Sequence, residues 1–167
     1  MDFLELAAKR YSCRKFSEKI VEQDKIDKII QAGILAPTAM NKQPFKIWEI
    51  KGECIKKVAK ATPFTFGANV ILAIGANKDD TYVRPFDGKN FFEIDAAIAA
   101  THMMLEVADL GLGTTWVGHF DPKILKEEFP KMKDYEIVAL FPIGYPALEA
   151  SGRHIIRKSK EEIVEKV

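Results

Sequence analysis

The chain has 167 residues and a mass of 18.8 kDa, 47% of it hydrophobic and 29% charged; that is ordinary globular composition and excludes a fibrous or disordered chain. Its length suits one domain spanning residues 1–167 rather than two. Lys and Arg total 25 against 24 Asp and Glu, a net of +1, too balanced for a dedicated nucleic-acid binder, and no apolar run is long enough to span a bilayer. The two cysteines, Cys13 and Cys54, make neither a disulfide framework nor a four-ligand zinc site. The acidic start at Asp2 and Glu5 does not read as a secretory signal, so a cytoplasmic location is expected.

In chain order, Asp2 can cap a first helix running to about Lys9. Val21 to Leu35 repeats apolar residues at Ile26, Ile29, Ile30 and Ile34 with a helical period, and Pro37 stops it. Phe45 to Ile50 reads as a strand after Pro44. A short helix is expected over 53–60. Val70 to Ile74 is a continuous apolar run of the kind found in buried strands. Residues 77–92, with Pro85 and Gly88, read as an irregular excursion.

The segment from about Phe91 to Leu110 is helical and apolar nearly all round. It is therefore expected in the centre of the fold, at a subunit interface, or both. Gly111 ends it. Thr114 to Val117 is expected as a strand, Asp121-Pro122 as a helix start, and Glu136 to Ile143 as a strand whose Pro142 predicts an edge or a bulge. A short helix is expected over 160–166. Helices and strands mix without regular alternation, which predicts an α+β fold.

The charges are unevenly spread. Residues 9–19 and 151–160 together hold nine cations and one acid, leaving 16 cations against 23 acids in the other 146 residues. Two readings stand: two solvated surface turns, or two basic ends converging on a small anion such as a phosphate. If the chain is extended at Arg10-Tyr11-Ser12-Cys13-Arg14, then Arg10, Ser12 and Arg14 point to one side. Asn41 and Gln43 sit in a loop between prolines and read either as turn residues or as donors and acceptors for a ring edge. The cluster Gly111-Leu112-Gly113 through Gly118 fails the dinucleotide-fold spacing. His102, His119 and His154 have no spacing that pairs them as metal ligands, and His102 reads as a core histidine. Cys13, among cations, is a candidate reactive thiol.

These pieces together resemble the FMN-dependent nitroreductase family. Arg10-Tyr11-Ser12-Cys13-Arg14-Lys15-Phe16 is similar to its R-x-S-x-[RK]-x-F phosphate motif. Ala36-Pro37-Thr38-Ala39-Met40-Asn41-Lys42-Gln43-Pro44-Phe45 resembles its A-P-S-x-x-N-x-Q-P-[WF] loop. Asp95-Ala96-Ala97 through Gly118 is similar to its central helix and flavin-facing turn, and Gly144-Tyr145-Pro146 and Arg157-Lys158 complete the order. Ser159 departs from the proline that many relatives carry there, and the 77–92 excursion is shorter than in larger relatives.

The resemblance implies a mainly antiparallel sheet surrounded by helices in an intertwined homodimer, with FMN bound at the subunit interface. It implies Arg10, Ser12 and Arg157 as phosphate ligands, with Tyr11 beside them, and Arg14 near flavin N1. Trp116, Val117 and Gly118 would lie against the ring, with the Gly118 N–H near N5. Pro37, Thr38, Ala39, Asn41 and Gln43 belong to the cofactor-binding set as well, the first four supplied by the partner subunit. The implied activity passes electrons from NADH or NADPH through the flavin to a nitroaromatic, quinone or similar small acceptor by a ping-pong mechanism. His119 is a candidate acceptor contact. A flavin-storage or flavin-sensing module without useful turnover is the alternative.

Overall fold

A computed structural model describes residues 2–167. Asp2 accepts a hydrogen bond from the Leu4 N–H and caps α1 (Phe3–Lys9), satisfying a helix-end donor that has no partner within the helix. There follow α2 (Gln23–Ile34), β1 (Phe45–Lys51), α3 (Cys54–Ala61), β2 (Val70–Ala76), α4 (Phe92–Asp109), β3 (Gly113–Thr114), α5 (Pro122–Glu128), β4 (Glu136–Gly144) and α6 (Lys160–Ile163). The strands form one antiparallel sheet in the order β1-β2-β4-β3. The architecture is α+β, as the mixed elements predict.

Helices cover both faces of the sheet, which explains why β2 is apolar at every position. Val70, Leu72, Ile74 and Ala76 point into a core shared with α2 and α4. Ile71 and Ala73 point the other way, into a core shared with α3 and α5. A strand alternates its side chains between faces, so only a strand covered on both sides buries a continuous run. On α4, Ala96, Ala99, Ala100, Met103 and Val107 are buried, a stripe at helical spacing against α2 and the sheet. Gly33 lets α2 come close: a Cβ there would lie 2.8 Å from Met103 Cγ. Gly111, at φ +71°, turns the chain out of α4, a conformation that other residues resist.

Three expectations change. The strand expected over Thr114–Val117 is paired only at Gly113 and Thr114, with a separate bridge from Val117 to Leu140. Pro142 lies on an inner strand rather than at an edge. These two facts share one cause. The Leu140 N–H and C=O both bond to Val117, at 3.0 Å each; Pro142, two residues on, faces the same side but has no N–H to offer. Its carbonyl instead accepts from Thr114 Oγ1 at 2.8 Å. The ladder is therefore interrupted, and Thr115 and Trp116 leave the sheet. Third, His102 is partly exposed on α4 rather than in the core. On the same helix Ile94 is exposed, and Ile98, Met104 and Leu105 are partly so, which leaves the interface alternative for α4 open.

The final helix stops at Ile163, three residues short of expectation, after a capping box between Ser159 and Glu162. Residues 77–92 form turns closed by a bridge between Val83 and Asn90. Among the described residues no helix is long and apolar enough to cross a membrane.

Candidate functional site

The Arg10–Arg14 segment is extended because it docks along the sheet. Ser12 bridges in parallel to Thr114, the Cys13 N–H donates to the Thr114 carbonyl at 2.9 Å, and the Ala147 N–H donates to the Lys15 carbonyl at 3.0 Å. Alternation then buries Cys13 and turns Ser12 and Arg14 outward. The Cys13 thiol donates to the Lys15 carbonyl at 3.2 Å, and a Cβ on Gly113 would touch its sulfur at 2.9 Å. It is a packed, enclosed group, not an accessible nucleophile.

The far end of the chain comes to the same place. The Tyr11 hydroxyl donates to the Leu148 carbonyl at 2.6 Å, and His154 Nε2 donates to the Ala8 carbonyl at 2.7 Å. These bonds pin the turn at 152–155 beside the end of α1. Arg157 Nη1 is fixed in turn by the carbonyls of His154 and Ile156. The result is a cavity of about 350 Å³ lined by Arg10, Tyr11, Ser12, Arg14, Ser151, Arg153, His154 and Arg157.

Four guanidinium groups and two hydroxyl-bearing serines line this cavity without a carboxylate, and none of the four arginines is in an ion pair among the described residues. Burial, and then the like charge of Arg157, hold the Arg10 guanidinium below its ordinary value. Burial, with the Cys13 thiol and Glu149 adding to it, pushes the Tyr11 hydroxyl up, which keeps it neutral. Uncompensated like charge in a half-enclosed space favours a bound anion. Planar, multiply donating guanidinium groups match phosphate oxygens well.

Arg14 also lines a second cavity, of about 240 Å³, with Phe64, Phe66, Thr115, Trp116, Val117, Gly118 and His119. Its wall is aromatic. Phe64 stacks on Phe66 with ring centres 5.7 Å apart and meets the His119 ring edge-on at 5.5 Å. Buried Thr62 donates to the His119 carbonyl at 2.7 Å and holds that end of the turn. Phe66 adopts φ +52°, a strained conformation for a bulky residue. Among the described residues nothing requires glycine at 118. A Cβ there would meet only the Trp116 ring, at 3.8 Å, so the missing side chain leaves open space for a flat group against the backbone.

Of the residues singled out from the sequence, Arg10, Tyr11, Ser12, Arg14 and Arg157 therefore meet in one cavity. Trp116, Val117, Gly118 and His119 meet in the other, and Arg14 joins the two. Pro37, Thr38, Ala39, Asn41 and Gln43 line neither. They form an exposed turn with positive φ at Met40, Asn41 and Gln43. Phe64, Phe66, Ser151, Arg153 and His154 join the site without having been assigned to it. Arg153 and His154 lay in the basic segment already noted, whereas nothing in the sequence signals the backbone strain that aims Phe66.

Comparison with known proteins gives a consistent result. A model described as the nitroreductase family matches residues 7–63 and 56–145. A crystal structure of a nitroreductase family protein from Clostridium difficile 630 superposes with a TM-score of 0.93 at 37% identity, covering 99% of this chain and 98% of that one. A curated protein from Archaeoglobus fulgidus, named as an NADH dehydrogenase/NAD(P)H nitroreductase, is 29% identical over 152 residues, 86% of this chain and 84% of its own. The fold is also that of a nitroreductase from Desulfovibrio desulfuricans solved in complex with FMN, with a TM-score of 0.82 at 23% identity and coverage of 98% and 95%.

Proposed function

The chain belongs to the nitroreductase family, and on that premise we propose that it is an FMN-dependent oxidoreductase taking electrons from NADH or NADPH and passing them to a small acceptor. The observation that carries the reading is Arg14, shared between a cationic cavity and an aromatic one. A phosphate monoester joined to a planar ring needs that pair of neighbours. The FMN in the Desulfovibrio structure and the NAD(P)H in the Archaeoglobus protein's name support the same reading.

The residues present fit this cofactor. Arg10, Ser12 and Arg157 would hold the phosphate, joined by Arg153, and the uncompensated charge of the cavity favours a dianion there. Arg14 would set positive charge beside the pyrimidine side of the ring, where it stabilises negative charge as it develops. The backbone of Trp116 to Gly118 would lie against the ring, with the Gly118 N–H directed to its edge. Bound FMN would supply the redox chemistry, accepting hydride from the nicotinamide and releasing electrons to the acceptor. Phe64, Phe66 and His119 would exclude water and floor the acceptor's place, with His119 as its polar contact.

The family reading implies that donor and acceptor enter the same aromatic place in turn, a ping-pong scheme. Nitroaromatics and quinones are the acceptor class that a flat aromatic floor suits.

The same family reading makes the protein a homodimer whose partner supplies the 37–43 turn. Three features support it. α1 buries none of its residues and exposes Phe3 and Leu4. The tail exposes Ile155, Ile156, Ile163 and Val164. A cavity of about 610 Å³ runs along the unpaired edge of β1, between Trp48 and Phe129. Apolar surface in such amounts marks an interaction face.

A visible absorbance spectrum before and after anaerobic NADH and then NADPH tests the function. Flavin bands that bleach are the expected result. A yellow protein inert to both nucleotides would indicate a storage or sensing module instead. A colourless protein that refuses added FMN would overturn the cofactor.

A further inference from the structure

Asp95 is a carboxylate only 1% exposed, and neither cavity uses it. Burying a charge is costly unless it is well partnered. Its location in the first turn of α4 supplies the positive end of a helix dipole. Its partners lie in two other segments. Oδ1 accepts the Ala39 N–H at 2.9 Å, and the Thr81 hydroxyl lies 3.5 Å from Oδ2, at the long limit of a hydrogen bond.

The turn it reaches is strained and otherwise self-contained. Met40, Asn41 and Gln43 have φ of +55°, +52° and +49°, each in a region that L side chains adopt at a cost. The remaining hydrogen bonds of residues 38–43 among the described residues run within the turn. Asn41 N–H donates to the Thr38 carbonyl, Lys42 N–H to the Ala39 carbonyl, and Gln43 N–H to Thr38 Oγ1. The Gln43 side chain returns to Asn41. Met40 is 77% exposed, so packing does not seat the tip. Strain of this kind persists only where surrounding structure over-determines it. The bond from Ala39 to Asp95 supplies that external constraint.

We propose that Asp95 is the positioning residue of the 38–43 turn, fixing it and the adjoining 77–92 segment to the start of α4 so that the turn is presented in one conformation to the flavin of the partner subunit. The cofactor half of this inference rests on the function proposed above. The positioning half does not. A charged acceptor suits the task better than a neutral one, because a charge-assisted bond to a backbone N–H is stronger and shorter.

Two substitutions separate positioning from packing. Asp95→Asn keeps an acceptor for the Ala39 N–H, and Asp95→Leu keeps volume without one. Leu125→Ala, in the core on the opposite face of the sheet, serves as a destabilised control. Hydrogen exchange in protein without added FMN is the first readout. Asp95→Leu should speed exchange over residues 38–43 by about tenfold or more, the scale of a lost bond to a charged group. Asp95→Asn should restore most of the protection, and Leu125→Ala should leave the turn unchanged relative to its neighbours. The second readout is FMN release on dilution of the holoprotein, expected to rise in the same order.

Equal exchange in Asp95→Leu and wild type would overturn the proposal, as would a turn loosened equally by Leu125→Ala. Faster exchange with unaltered FMN release would overturn the link to the cofactor. A wild-type protein that holds no FMN would sink the function reading and the cofactor half together, while the exchange result would still decide the positioning half.

Discussion

Arg10 is the residue at which burial and charge act in the same direction, both disfavouring its own cation. A bound phosphate would reverse the charge effect, so Arg10 contributes to binding rather than to the empty fold. Arg10→Ala should weaken FMN binding by about 1–3 kcal/mol, the worth of a charge-assisted hydrogen bond, as measured by flavin fluorescence titration. The cofactor-free protein should keep its Tm, because the substitution also removes repulsion with Arg157. Undiminished flavin retention would take Arg10 out of the phosphate site. Gly118 makes the complementary case. Gly118→Val should leave the stability of the cofactor-free protein within about 0.5 kcal/mol, as for surface changes free of special features. The same side chain would occupy the space against Trp116, so FMN affinity should fall steeply. A valine variant that binds FMN normally would mean the ring lies elsewhere.

At the scale of elements, the start of α2 is latched to the end of β4. The Tyr145 hydroxyl donates to Glu22 at 2.6 Å, Lys25 Nζ donates to the Tyr145 hydroxyl at 2.8 Å, and Lys19 Nζ sits 4.0 Å above the Tyr145 ring. The Tyr145 hydrogen bond first, then the local backbone and the two lysine charges, hold the Glu22 carboxyl down at about 2 from an ordinary value of 4.5. A carboxyl depressed on folding stabilises the native state above its unfolded pKa, and that contribution fades as pH falls through the folded one. Thermal midpoints should therefore decline between pH 4.5 and about 2 more steeply in wild type than in Glu22→Gln. Matching slopes would show that the latch carries no weight. Glu22 and Lys19 are exposed while Lys25 and Tyr145 are half-buried, and screening by salt should shrink the difference.

The elements that were legible in the sequence are those set by local pattern. The 3.6-residue stripe of α2, the cap at Asp2, the Asp121-Pro122 start of α5 and the stop at Gly111 all depend on residues within a turn or two. The ending of β3 was not legible, because it depends on the N–H that Pro142 lacks on the neighbouring strand. From sequence, Pro142 argued for an edge or a bulge; in the fold its neighbour yields instead, and the chain that swings away is the one lining the aromatic cavity. The site divides similarly. Extended backbone at Arg10–Arg14 made the alternation readable, whereas the strained φ of Phe66 and the pairing of Asp95 with Ala39 exist only once distant segments are packed.

Across the whole molecule, the two basic ends of the chain meet beside the sheet, while the 37–43 turn lines neither cavity. On the proposed reading the turn belongs to the flavin site, and a two-fold dimer would then bring it to the cavities of the partner. That arrangement has a consequence that a self-sufficient monomer lacks. Let one variant carry Arg10→Glu, which reverses charge in the phosphate cavity, and another carry Asn41→Arg, which crowds the turn. Each should assemble as a homodimer with two damaged sites and little flavin. In a heterodimer both lesions fall in one site and the other is intact. Random reassortment of equal amounts makes half the dimers mixed, so about a quarter of wild-type flavin binding should return for a closed two-fold dimer. Recovery at that level, with sedimentation equilibrium giving twice the chain mass, would locate the site between subunits. A mixture no better than its parents would assign the cationic cavity and the turn to the same chain's site, and the exposed apolar face of α1 would need another occupant.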